Sequence, residues 1–182
     1  MEEKIVYFEK PGKGNTAEVI KLVKERAQSR GINRFVVAST RGSTAKAFLE
    51  AVEGTDHRLV VVPWQFGFKG DDHPFPSELV SAIRGKNHQV HFGTMLFHTG
   101  DFYGTSAPQA MANVLRTFGQ GTKVCLEIIM MACDGGCIGI GEQVIAVAGT
   151  GSGSDTAVVA TAAPSTKVTS LRIHEIICKP IL

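Results

Sequence analysis

Cysteine and large aromatics are scarce in this chain, which has four Cys, one Trp and two Tyr in 182 residues. Four thiols (Cys125, Cys133, Cys137, Cys178) are too few for a disulfide framework at this length. Cys133 and Cys137 are spaced C-x3-C with no second Cys/His pair at zinc-finger distance, so free thiols are expected and no metal site. An excess of charge of one sign is also lacking. A net charge of +2 without a basic block argues against an extended nucleic-acid surface and leaves room for a local anion pocket. No apolar run has the length of a membrane span, since even residues 124–133 are interrupted by Glu127. The opening Met1-Glu2-Glu3-Lys4 lacks the pattern of a signal peptide, and a cytoplasmic location is expected. Neither a Walker A sequence nor a G-x-S-x-G elbow occurs, and nothing local marks a nucleophile.

What is abundant is glycine, with 20 residues, which predicts many tight turns. The length predicts one domain over residues 1–182. Strands are expected at residues 4–8, Arg34–Ala38, Arg58–Val62, 123–132, Gln143–Ala148 and 168–178. Helices are expected from Asn15, in a capping-box-like start with Glu18, to Gly31, then at residues 44–52, 76–84, 107–118 and 156–163. In the helix at 107–118, Ala107, Ala110, Met111, Val114, Leu115 and Phe118 share one face. Strands alternating with helices predict a layered α/β fold with a mainly parallel sheet. Glu127 falls inside the run at 123–132, where a carboxylate must leave the core, find a cation or lose its proton.

From about residue 63 to 106 the periodicity loosens into a long segment rich in glycine and aromatics. It holds Trp64, Phe66, Phe68, Phe75, Phe92, Phe97, Phe102 and Tyr103, together with His73, His88, His91 and His98. A connection of this kind in a compact domain is more often a binding loop than filler.

Residues 35–49 carry the clearest local signal. An apolar strand runs through Ser39-Thr40-Arg41-Gly42-Ser43-Thr44 into a helix with apolar residues at Ala45, Phe48, Leu49 and Val52. Such a turn gathers free backbone N–H groups, hydroxyls and a positive helix end, which together favour phosphate, and Arg41 adds a cation. Helix capping by Ser43 or Thr44 is the plainer reading of the same residues. A second turn, Gly149-Thr150-Gly151-Ser152-Gly153-Ser154-Asp155-Thr156, follows another strand and would lie at the same carboxyl edge of the sheet. A third pattern competes with these. Gly12-Lys13-Gly14-Asn15-Thr16-Ala17 fits G-x-G-x-x-A, and Arg41 would then serve a 2′-phosphate as in an NADP site.

The turn from Ser39 to Ala45 resembles the hydroxyl-rich effector-phosphate turn of the pyruvate kinase C-terminal domain, with Gly42, Thr44 and Ala45 at matching places and the cation moved by two positions. The loop from Gly151 to Thr156 is similar to the Gly-Ser-Gly effector loop near that domain's end. Through these loops, Asn15-Thr16 and residues 127–136, nearly the whole chain resembles a small family of stand-alone archaeal proteins like the pyruvate kinase α/β domain. The resemblance implies a three-layer α/β/α fold whose mainly parallel, mixed sheet has an antiparallel last strand, and a phosphate-bearing ligand, with flavin mononucleotide (FMN) the leading candidate. It implies phosphate contacts from Ser39, Thr40, Arg41, Gly42, Ser43 and Thr44 and from Gly149, Thr150, Gly151, Ser152, Gly153, Asp155 and Thr156. Asn15 and Thr16 would approach the ribityl chain or phosphate, and Gly67, Phe68, His98 and Thr99 the ring. Pyruvate kinase activity is not expected, because that chemistry resides in a barrel domain. The rival readings are a non-catalytic sensor of a phosphorylated metabolite and an NADP-dependent enzyme. The expected partner is a small phosphorylated ligand, with no nucleic acid and no membrane; catalysis and a homo-oligomer are left open.

Overall fold

The computed structural model describes residues 2–181. Its seven strands are β1 (Val6–Phe8), β2 (Arg34–Ala38), β3 (Arg58–Val62), β4 (Gln89–Val90), β5 (Gln143–Ala148), β6 (Thr156–Thr161) and β7 (Arg172–Pro180). They form one sheet in the order β1-β7-β6-β5-β2-β3-β4. Pairing is parallel from β5 through β2 and β3 to β4, and again between β1 and β7. The last strand, β7, is antiparallel to β6, and β6 is antiparallel to β5.

Alternation along the strands separates two cores. Phe35, Val37, Leu59, Val61, Ile145 and Val147 face helices α1 (Thr16–Arg30), α2 (Ser43–Ala51) and α3 (Ser77–Gly85) through Val19, Val23, Phe48 and Ile83. Val36, Val60, Val144 and Ala146 face the other way, where they meet α6 (Gln120–Asp134) through Cys125, Ile128, Ile129 and Ala132. A strand covered on both faces must be apolar at successive positions, which explains the continuous runs in β2, β3 and β5. The result is a three-layer α/β/α arrangement. Among the described residues, no helix is long and apolar enough to cross a membrane.

Three sequence expectations are corrected. Residues 123–132 lie in the helix α6 and not in a strand. Their buried positions include Cys125, Ile128, Ile129 and Ala132, a helical spacing, but α6 is covered on nearly every side, so no polar stripe announces the period. Residues 156–163 were the converse case: they begin with strand β6, not a helix, and Thr156, Val158, Val159 and Thr161 supply the β-branched side chains that suit a pleated surface. Residues 165–170 form a 3-10 segment, so β7 starts at Arg172. The segment at 63–106 is partly regular. It contains α3, the edge strand β4 and the short helix α4 (Gly100–Tyr103). Helix α5 (Ala107–Arg116) buries Ala112, while Met111 and Val114, and Phe118 beyond its end, are exposed.

Candidate functional site

The chain leaves β2 for α2 and β3 on one side, and leaves β5 for β6 on the other. The carboxyl ends of β2 and β5 therefore mark a point where the connections diverge, the usual place for a ligand in an open α/β sheet. A cavity of about 310 Å³ lies there. Its walls are the β2–α2 turn, the β5–β6 turn, the first half of α6, and Trp64, Phe68 and His98 from the segment after β3.

The β2–α2 turn has the geometry of an anion cradle. Gly42 is the N-cap of α2 with φ 88°, a left-handed conformation that favours glycine. A Cβ at Gly42 would also stand 2.7 Å from Leu79 Cδ2. The Ser39 hydroxyl accepts the Ala45 N–H at 3.2 Å, and the Lys46 N–H bonds the Gly42 carbonyl at 2.8 Å. The N–H groups of Ser43 and Thr44 have no partner among the described residues, and Gly42, the N-cap residue, has no side chain to offer one. Ser39, Thr40, Arg41, Ser43 and Thr44 all line the cavity.

The β5–β6 turn is held from beneath by Asp155, which is wholly buried. One carboxylate oxygen accepts the N–H of Gly12 at 2.8 Å and of Thr150 at 2.9 Å, and the other accepts the Thr156 hydroxyl at 2.7 Å. Thr16 Oγ1 accepts the Ser154 N–H at 3.0 Å. With the turn fixed this way, Gly149, Gly151, Ser152 and Gly153 face the cavity. Because 156–161 is a strand, no helix starts behind this turn. The second helix end is supplied by α6, whose Gly121 packs so closely on Thr156 that a Cβ there would overlap the threonine side chain.

Of the residues expected to touch a ligand, eleven line the cavity: Ser39, Thr40, Arg41, Ser43, Thr44, Phe68, His98, Gly149, Gly151, Ser152 and Gly153. The others do not. Gly42, Thr150, Asp155, Thr156 and Thr16 shape or hold the two turns. The Asn15 amide donates to the Lys10 carbonyl at 2.7 Å, so it neither reaches the cavity nor caps α1. Gly67 turns the chain with φ 72° and is no part of the wall. The Thr99 hydroxyl bonds Leu96 O at 3.0 Å, and Thr99 lines a separate depression beside His91. The glycine fingerprint at residues 12–17 serves the fold: the Gly12 N–H is taken by Asp155, and β1 sits at the sheet edge beside β7, not beside β2. Neither feature is that of a dinucleotide-binding βαβ unit.

Sequence reading missed the residues that α6 and its flank supply, namely Arg116, Gln120, Lys123 and Glu127, with Trp64 and Met95. Lys123 and Glu127 are 1% and 3% exposed and pair at 2.5 Å, Nζ to Oε2. Glu127 Oε1 also accepts the Phe97 N–H at 3.0 Å, and Lys123 Nζ lies 3.4 Å from His98 Nε2. The cation required by a buried Glu127 is thus Lys123, one helical turn away. The signal was in the sequence as an i, i+4 Lys–Glu pair, which only a helix brings together. The pKa of His98 lies below its ordinary value, first because the ring is partly buried and then because Lys123 stands beside it, with Glu127 opposing. The imidazole is therefore neutral at pH 7, accepting at Nε2 from the Lys123 ammonium. Three cations, Arg41, Arg116 and Lys123, line the cavity with one carboxylate, Glu127, so the site favours an anion. No group of His, Cys, Asp and Glu suited to a metal occurs among the described residues.

A comparison with known protein families finds no family model that matches the chain.

Proposed function

We propose that the cleft binds a small phosphate-bearing molecule with a flat ring, FMN being the leading candidate, and that the protein is a flavin-dependent oxidoreductase of the cytoplasm. The observation that carries this reading is the convergence of the β2–α2 turn and the glycine-rich β5–β6 turn on one cavity. In that cavity, Arg41 and the N–H groups of Ser43 and Thr44 offer a phosphate both charge and hydrogen bonds. Hydrogen bonds to a charged group contribute roughly 1.5–3 kcal/mol each, so three or four suffice for micromolar binding before the rest of the ligand is counted.

The donor set fits FMN. The phosphate end has hydroxyls, amides and Arg41; the other end has an apolar wall from Val62, Met95, Val124, Ile128 and Met131, with Trp64 and Phe68 edge to face at 5.0 Å. Such a wall suits a planar ring. Lys123 and His98 supply polar contacts at the same end. A flavin held there supplies hydride or single-electron transfer. The residues of the two turns, together with Trp64 and Phe68, would bind and orient it, and the Lys123–Glu127 pair holds an ammonium in the cavity wall. The likeness of both turns to the effector turns of the pyruvate kinase C-terminal domain supports the phosphate, and the likeness to the stand-alone family puts FMN ahead of other phosphate esters.

The test is the visible absorbance of the purified protein, repeated on the supernatant after heat denaturation. A flavin spectrum with FMN released into the supernatant is expected. A colourless protein that takes up no added FMN overturns the flavin and leaves the sensor of a phosphorylated metabolite as the reading of the same turns.

A further inference from the structure

The cleft has two cationic poles on different elements. Arg41 stands on the β2–α2 turn, whereas Lys123 stands on α6, beside His98 and within the same cavity as Arg116. The Lys123 charge is unusual in its setting. Its side chain is 1% exposed, its ammonium bonds Glu127 at 2.5 Å, and it lies 5.0 Å from the centre of the Phe97 ring. Taking an ammonium and a carboxylate out of water is costly, and a fold does not need such a pair for stability. Glu127 is further tied by the Phe97 N–H, so the ammonium is fixed in position.

His98 transmits that charge outward. Its Nε2 faces the Lys123 ammonium at 3.4 Å, which leaves Nδ1 to carry the proton of the neutral ring. Its ring packs edge-on against Phe68 at 4.9 Å, and the residue is exposed, lining both the main cavity and a shallower one with Asp101 and Ser106. The charged groups around it are Lys123 and Glu127 on α6, Arg116 on α5 and Asp101 on α4.

We propose that His98, Lys123 and Glu127 form a second anion-recognition pole, so that the ligand of this cleft is a phosphate ester whose far end carries a carboxylate, an enolate or another negatively charged oxygen. The proposal rests on the reading that the β2–α2 turn holds phosphate and does not require the ligand to be FMN. His98 donates the direct hydrogen bond through its N–H, Lys123 supplies the charge behind it, and Glu127 is a positioning residue that keeps the ammonium in place. A preorganised cation in a site of low polarity discriminates by charge far more strongly than one in water.

The experiment is calorimetric titration with two pairs of phosphate esters that differ only at the far end: 6-phosphogluconate against glucitol 6-phosphate, and 3-phosphoglycerate against glycerol 3-phosphate. For at least one pair the carboxylate member binds the unmodified protein about tenfold tighter or more. In the double variant Lys123→Met/Glu127→Leu, which removes both buried charges, the preference disappears, and the two members of the pair bind with affinities within about threefold of each other. His98→Gln, at an exposed position, reduces the preference, and it serves if the double variant does not fold. Equal affinities within both pairs, or a preference that survives in the double variant and in His98→Gln, overturns the proposal while leaving the phosphate turn intact. Failure of all four esters to bind overturns the second pole, and the phosphate reading falls with it only if FMN also fails to bind.

Discussion

Asp155 accepts the backbone N–H of Gly12 at 2.8 Å, joining residues 143 positions apart in the sequence and tying the first turn of the chain to the hairpin that walls the cleft. The same carboxylate holds Thr150 N–H and the Thr156 hydroxyl, and it is fully buried. Asp155→Ala leaves three donors without their acceptor. Hydrogen bonds to charged groups contribute roughly 1.5–3 kcal/mol each and are not additive, so a loss of about 3–5 kcal/mol is expected. Urea unfolding measures it, and a loss below about 1 kcal/mol contradicts the role assigned to Asp155.

Lys123 and Glu127 form a pair in which either charge alone is worse than neither. Lys123→Met leaves a buried carboxylate unpaired and should cost about 3–5 kcal/mol. Adding Glu127→Leu should return most of that loss. A double variant as unstable as the single one contradicts the pairing.

The histidines make stability depend on pH in a defined direction. Burial is the first cause that lowers the pKa of His57, His88, His91 and His98. Below about pH 6.5 the unfolded chain therefore binds protons that the folded chain does not, and stability rises with pH across that window. The contribution is fully present above pH 6.5 and is lost as pH falls through the folded values. Thermal midpoints measured from pH 7.5 down to 5 should fall, and His91→Gln should make the fall shallower.

The thiols differ in reactivity. Burial pushes Cys178 up to about 12 and raises Cys125 as well, so neither forms a thiolate at pH 8. Cys137 is partly exposed, although burial raises its thiol also. Mass spectrometry after iodoacetamide at pH 8 should find Cys137 modified first and Cys125 and Cys178 only in denaturant. Modification of Cys178 in the native protein contradicts its burial.

Much of the fold was legible where the signal is local. Arg34–Ala38, Arg58–Val62 and Gln143–Ala148 announce strands through unbroken apolar runs, and the helical spacing of Ala45, Phe48 and Leu49 announces α2. The turn between β2 and α2 was legible for the same reason. What was not legible depends on long-range packing. Residues 120–134 are buried on almost every side, which removes the amphipathic stripe that separates a helix from a strand, and Lys123 and Glu127 were hidden with it. The helix expected at residues 156–163 gives way to strand β6 because 156–161 pair antiparallel with both β5 and β7, a long-range contact that the local sequence does not announce. Asp155 read as a ligand contact because a carboxylate in a glycine-rich turn gives no local sign that it points into the protein.

The central claim is that the β2–α2 turn holds a phosphate, and comparing FMN with riboflavin isolates that group. Fluorescence titration of the flavin-free protein should show FMN binding with micromolar affinity or better and riboflavin at least about 100-fold more weakly, which corresponds to about 2.7 kcal/mol from the phosphate. In Arg41→Ala the two affinities should draw together through weaker binding of FMN alone. Equal affinities for FMN and riboflavin, or an FMN affinity indifferent to Arg41, would contradict the account.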